Sequence, residues 1–229
     1  VGRLFGIRFV VDASWLIMFV LLSWTVSTLL DSYGPAYALG AACTYSLLLF
    51  ASVVAHELGH ALVARSYGVQ TSSIALFLFG GVATLEREPD TPEAEIRTAV
   101  AGPLVSVGLS LIFFGLARLT DDGIVHDVLS YLALGNAAIA TFNVIPAFPM
   151  DGGRVLRALV WGVRKDRLGG TIFAASVSGV VAAAMLAGGL YMFAITRQWH
   201  FLWYALLSVF LARAAWNGYA EARVAGLPA

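Results

Sequence analysis

The sequence predicts an all-α polytopic membrane protein, about six transmembrane helices with one short membrane-embedded β-hairpin. Three observations predict it. The 229 residues are 59% hydrophobic and 12% charged, with a mean hydropathy of +0.82, outside the range of soluble domains of this length. Charge-free runs recur at lengths that cross a hydrocarbon core of about 30 Å, given a helical rise of about 1.5 Å per residue. One further charge-free run is punctuated by a glycine pair and reads as two strands.

Arg3 and Arg8 precede an apolar run in the manner of a signal. No small-residue cleavage site follows, so Ala13 to Leu30 reads as an uncleaved first helix. The second span begins as the charge-free run Ser32 to Ala55 and continues past Ala64, giving a helix over about 36–66. Between Ser66 and Leu85 come Ile74 to Phe79, the pair Gly80-Gly81, and Val82 to Leu85. This predicts a hairpin over about 70–86. Open strand edges cannot lie bare in lipid, so the hairpin must be shielded by helices or face a wet cavity. The alternative is a further helix broken by glycine. Thr98 to Ala117 and Val128 to Met150 give helices over about 95–118 and 128–150, Leu168 to Thr196 a fifth, and the shorter Gln198 to Ala212 a sixth. Gly179, Gly188 and Gly189 in the fifth permit either motion or close helix packing. Residues 1–229 are read as a single domain.

With the N-terminus cytoplasmic, the basic residues from Arg3 and Arg8 through Arg65, Arg87 and Arg97 to Arg154–Arg167, Arg213 and Arg223 fall on one side. Only Arg118 and Arg197 fall on the other, so the positive-inside rule places both termini in the cytoplasm. A formal net charge of zero leaves no basic surface for nucleic acid. Arg154 to Arg167 instead suits the anionic headgroups of the lipid bilayer. Cys43 is the only cysteine, which excludes an intrachain disulfide and reads as a packing residue. No oligomeric state is specified.

His56-Glu57-Leu58-Gly59-His60 lies inside an apolar helix. An acidic side chain at the centre of a membrane helix costs roughly 2.5 to 3.5 kcal/mol on insertion scales. A residue held against that cost needs a partner or a task. On a helix the two histidines lie at i and i+4 on one face, able to share one metal, and Glu57 points to the adjoining face as a general base. The competing reading makes them core histidines bonded to neighbouring helices, which requires a separate partner for each of three polar groups.

Two histidines leave a catalytic zinc short of a protein ligand. Asp151 is the candidate third, in Asn143-Val144-Ile145-Pro146-Ala147-Phe148-Pro149-Met150-Asp151-Gly152-Gly153-Arg154. There the prolines interrupt the helix and the glycines permit a tight backbone. Asp151 also suits a turn carboxylate paired with Arg154. Asn143, one turn before Pro146, suits either an interhelical hydrogen bond or donation to a substrate carbonyl.

Through these two segments and Ala101-Gly102-Pro103 on the intervening helix, the chain resembles the site-2 proteases, intramembrane zinc metalloproteases, over essentially its whole length. It is most similar to the six-helix archaeal and bacterial branch that often carries C-terminal CBS repeats. Those repeats do not follow before Ala229, which is expected either of a truncated catalytic domain or of a member without them. The resemblance implies one Zn2+ on His56, His60 and Asp151, Glu57 as catalytic base, and Asn143 against the substrate backbone. It also implies that Phe77, Leu78, Gly80 and Gly81 belong to a β element that clamps the substrate, the strand Ile74 to Phe79 offering its edge. Regulated intramembrane proteolysis of a single-span membrane protein is the implied activity. The implied location is the cell membrane of a prokaryote, with the active site toward the cytoplasm. Two rival classes are a zinc-binding membrane transporter, which needs no base at Glu57, and a non-catalytic binder of membrane segments.

Overall fold

A computed structural model describes residues 2–4, 7–77 and 80–225 of the chain. The elements run β1 (Gly2–Leu4), β2 (Ile7–Val11), α1 (Ser14–Leu29), a 3-10 turn at Asp31–Tyr33, α2 (Pro35–Ser66), β3 (Thr71–Phe77), β4 (Gly80–Leu85), α3 (Pro92–Ala117), α4 (Ile124–Val144), α5 (Asp151–Arg164), α6 (Arg167–Thr196), a 3-10 turn at Trp199–Phe201, and α7 (Leu202–Ala225). They form two compact units, Val1–Pro89 with Ala101–Thr141, and Asp90–Val100 with Phe142–Ala229.

Among the described residues four helices, α2, α3, α4 and α6, are long and apolar enough to cross a membrane. Apolar α1 has 16 residues, roughly 24 Å at the helical rise. Leu16, Ile17, Val20 and Leu21 on α1 and Leu104, Leu111 and Ile112 on α3 are exposed, as suits a surface solvated by lipid chains.

In the first unit α2 starts at Pro35, where the missing N–H costs nothing, preceded by Gly34 at φ 87°. Its buried face carries Ala38, Ala42, Tyr45, Phe50, Ser52, His56 and His60. The upper part of that face joins Val26 and Leu30 of the α1 segment and Val128 and Leu132 of α4 in one apolar cluster. Trp15 packs on Phe50 with ring centroids 5.1 Å apart, and Ser23 Oγ donates to Ser46 Oγ at 2.9 Å.

The expected hairpin is present as β3 and β4, paired Leu76 to Gly81 and Phe77 to Gly80. It is half of a four-stranded sheet in the order β1-β2-β3-β4. The segment read as a lead-in to the first helix forms β1 and β2, and β2 pairs in parallel with β3, Phe9 opposite Ile74. From Ser73 to Leu76 strand β3 is thereby bonded on both sides, which corrects the expectation of a free edge for that part of Ile74 to Phe79; Phe79 lies outside the described residues. Among the described residues β4 is paired only to β3. Ile7, Ala61 and Ile74 pack together beneath the sheet, with Phe9, Leu58 and Ala83 around them. Leu78 lies outside the described residues.

In the second unit α4 ends at Val144 rather than Met150, because a residue preceding proline is driven out of the helical region. The stretch beginning Asp151-Gly152-Gly153-Arg154, read as a break and a basic anchor, is the amphipathic helix α5. α6 packs against α7 at Gly189, where a Cβ would lie 2.9 Å from the Cβ of Tyr204. Close packing therefore accounts for Gly189, whereas Gly179 and Gly188 have open space around them.

Candidate active site

His56 and His60 lie one turn apart on the buried face of α2, 3% and 4% exposed. Their rings meet edge to face, centroids 4.8 Å apart, and their Nε2 atoms approach to 3.2 Å. Two nitrogens on a tetrahedral zinc, each at about 2.0–2.1 Å, stand roughly 3.3 Å apart. The pair is thus already at the spacing a shared metal demands. On the other side of His56, Nδ1 lies 2.9 Å from Oγ of fully buried Ser106 on α3. Donation from Nδ1–H to that hydroxyl leaves the Nε2 lone pair toward His60, the tautomer a metal ligand requires.

The space around the two Nε2 atoms depends on glycine. α3 crosses α2 closely at Gly59, where a Cβ would sit 2.9 Å from Val105 Cγ2 and 3.1 Å from the Ala101 carbonyl oxygen. At Gly102 a Cβ would lie 2.2 Å from His60 Nε2 and 2.6 Å from His56 Nε2. The hydrogen atom of Gly102 therefore faces the volume in front of both nitrogens, a cradle that a single methyl group would fill. Buried nitrogens converging on a space kept open suit a small cation.

Glu57 projects from the next position of α2 toward the sheet. It is half-buried, and a Cβ on Gly81 of β4 would come within 2.8 Å of its Cγ and 3.2 Å of Val53 Cγ1. Glycine at position 81 thus lets the outer strand pass directly over the carboxylate-bearing side chain. Phe77 and Gly80 stand opposite each other at the end of the β3–β4 ladder.

In the second unit, Asp151 is the first residue of α5 and is 8% exposed. Helix N-termini favour anions through their unpaired N–H groups and dipole, and Asp151 stands at that end of α5. Arg154 Nη1 is 4.0 Å from its Oδ1, the outer limit of an ion pair. The chain from Val144 folds back on this first turn: a Cβ at Gly152 would lie 2.3 Å from the Val144 carbonyl oxygen, and one at Gly153 would lie 2.7 Å from Phe148 N. Both glycines are required by that close approach. Asn143 sits in the last turn of α4.

Three polar residues near these sites carried no sequence signal of their own. Ser106 is one. Asn136 on α4 is another, with no exposed surface; its Nδ2 donates to Ser52 Oγ at 3.2 Å and to the Leu132 carbonyl at 2.9 Å. Glu95 on α3 is the third, fully buried against Arg157 of α5. A lone polar residue in an apolar run shows only as a break in hydropathy, which is also how interhelical packing residues look.

The Peptidase family M50 model matches residues 44–121 and 117–187. The chain belongs to peptidase family M50. A Synechocystis protein provisionally named a zinc metalloprotease is 38% identical over 98% of this chain and 60% of its own length. A zinc metalloprotease of Methanocaldococcus jannaschii is 43% identical over 63% of this chain and 42% of its own. The chain therefore spans six tenths or less of these curated relatives. Among solved structures, the site-2 protease from Methanocaldococcus jannaschii superimposes with a TM-score of 0.65 at 32% identity, covering 96% of this chain and 94% of that one. The family and the four long apolar helices identify an integral membrane protein with the site-2 protease fold.

Proposed function

We propose that this chain is an intramembrane zinc metalloprotease that hydrolyses a peptide bond within or near the transmembrane segment of a single-span, membrane-tethered protein. The observation that carries this reading is the pair of buried Nε2 atoms 3.2 Å apart, facing a space that Gly102 keeps open, with Glu57 on the same helix turn. His56, His60 and Asp151 would hold one Zn2+, Asp151 supplying the third donor that catalytic zinc sites take. Zinc bound there supplies Lewis-acid polarisation of the scissile carbonyl and a water whose pKa falls to about 7.

This chain's residues do the rest. Glu57 takes the proton of the attacking water and passes it to the leaving amine, which asks only for a carboxylate within reach of both. Asn143 donates to the substrate backbone. A membrane helix hides its amides in internal hydrogen bonds and must be unwound before it is cut. The outer edge of β4 gives the unwound stretch a strand to pair with, and Gly81 sets that edge over Glu57. Pairing through the main chain supplies affinity with little demand on sequence. In this reading 1–229 acts as one catalytic membrane domain, with the site and both termini toward the cytoplasm, as the basic residues favour.

The test is mass-spectrometric mapping of products from a single-span substrate, using zinc-loaded protein in lipid vesicles, beside Glu57→Gln and Asp151→Asn. Cleavage within the span by the parent alone is expected, with zinc retained by Glu57→Gln and lost by Asp151→Asn. Zinc transport across the vesicle wall without any cleavage would replace protease by transporter.

A further inference from the structure

The buried ion pair of the second unit lies outside the machinery described above, yet it reaches the segment that leads into Asp151. Arg157 Nε and Nη2 converge on one oxygen of Glu95, Oε1, at 2.7 Å and 2.5 Å. Glu95 is completely buried and the Arg157 side chain is 12% exposed. Removing two charges from water is costly, and a buried pair seldom repays it in stability alone. An arginine so fixed has a planar face left to use, and Arg157 lays that face over the ring of Phe148, Cζ 5.8 Å from the centroid, within cation–π range. Gly218 of α7 also stands close to Phe148, a Cβ there lying 3.7 Å from its Cδ2. The Phe148 N–H donates to Ser178 Oγ of α6 at 2.7 Å. A Cβ at Gly170 of α6 would lie 2.7 Å from the Arg157 carbonyl oxygen, so the backbone of Arg157 is held as well as its side chain.

The geometry points to Arg157 as a positioning residue: clamped by Glu95, it pins Phe148 and so fixes the backbone from Ala147 to Gly153 that aims the Asp151 carboxylate. Between the pinned ring and the aspartate stand only Pro149 and Met150. The intervening turn is closed by Met150 N–H to the Ala147 carbonyl at 2.9 Å and Gly153 N–H to the Met150 carbonyl at 3.0 Å. Neither Arg157 nor Glu95 touches the reacting atoms; both act through Phe148. The consequence for metal binding rests on the reading of Asp151 as a zinc ligand, whereas the pinning of the turn does not.

The experiment uses the full chain in detergent micelles and compares Arg157→Met, the double variant Arg157→Met with Glu95→Gln, Phe148→Leu and Asp151→Asn. Three quantities are read: thermal midpoint, zinc affinity by competition with a chelator, and hydrogen exchange at the Met150 and Gly153 amides of the zinc-free protein. Arg157→Met strands the Glu95 charge and lowers the midpoint. The double variant removes both charges and recovers it. The proposal expects that variant still to bind zinc about 10- to 100-fold more weakly, the usual cost of losing a residue that orients a ligand, and to exchange both amides faster. Phe148→Leu, which leaves the ion pair whole, is expected to do the same. Parent-like zinc affinity and exchange in either variant would reduce the pair to charge compensation and overturn the proposal. Zinc affinity unchanged in Asp151→Asn defeats the ligand reading instead, and the exchange rates then decide the pinning by themselves.

Discussion

Ser106 Oγ lies 2.9 Å from His56 Nδ1, so the hydrogen-bond partner of the first histidine's far nitrogen comes from α3, the same helix whose Gly102 leaves room in front of it. One helix presents the imidazoles, and the helix crossing it at Gly59 orients one of them and keeps the space before both.

Replacing Ser106 with alanine removes that orienting hydroxyl while leaving both ring nitrogens and the packing volume almost unchanged. Zinc affinity is expected to fall about 10-fold or more, read by chelator competition, with the circular dichroism of the parent retained. Parent-like affinity would show that the helix alone orients the ring.

Gly102→Ala sets two effects against each other. Alanine favours a helix over glycine by about 1 kcal/mol, so the protein keeps its fold. The new methyl carbon, however, is placed 2.2 Å from His60 Nε2, where no side-chain shift preserves the site. Zinc content and proteolysis are expected to vanish together. Gly108→Ala on the same helix, with nothing within 4 Å, is expected to leave both unchanged.

Gly81→Ala presses on Glu57 Cγ rather than on the histidines. The expected outcome is full zinc stoichiometry with kcat lowered by up to about 100-fold, the cost of misplacing a catalytic group by roughly 1 Å. Loss of zinc in this variant would contradict the separation of base and ligands.

Ala83→Pro and Thr84→Pro test strand addition at β4. Successive N–H groups of a strand face opposite ways in the sheet plane, so one of the two prolines removes an outward donor and the other a bond to β3. The outward one is expected to slow cleavage while sparing zinc and stability. Equal turnover by both variants and the parent would eliminate the β4 edge as a substrate clamp.

Outside the membrane segments, Tyr33 Oη donates to Asp127 Oδ2 at 2.9 Å, and this bond raises the phenol above its ordinary pKa. A proton held more tightly in the folded state stabilises it fully below the unfolded pKa of about 10. That contribution is lost as pH rises through the higher folded value. The tyrosinate absorbance missing from Tyr33→Phe is therefore expected to appear at a higher pH than that of a free tyrosine, whose pKa is about 10. Its appearance at the ordinary pH would show that the bond does not persist in solution.

Much of this was legible in the sequence because membranes make polarity expensive. Glu57 between two histidines stands out in an apolar run, and Asp151 stands out beside two prolines and two glycines. What escaped was set by partners far away in the chain. β2 reads as a charged lead-in until Phe9 is known to face Ile74. β3 reads as an edge until the same pairing covers it. α5 reads as a break because Gly152-Gly153 are poor helix formers; close approach to Val144 and Ala147 demands them all the same. Ser106 and Glu95 acquire meaning only from His56 and Arg157, which no local pattern announces.

The parallel pairing of β2 with β3 also imposes an order of events on biosynthesis. The N-terminal strands leave the ribosome first, but their partner Thr71–Phe77 is not made until α1 and α2 have been synthesised. Parallel partners joined by so long a crossover form late, after the loop between them has closed. The sheet is thus completed once the first helical pair is in place, and β4 joins a sheet whose β1 and β2 were made before either of those helices.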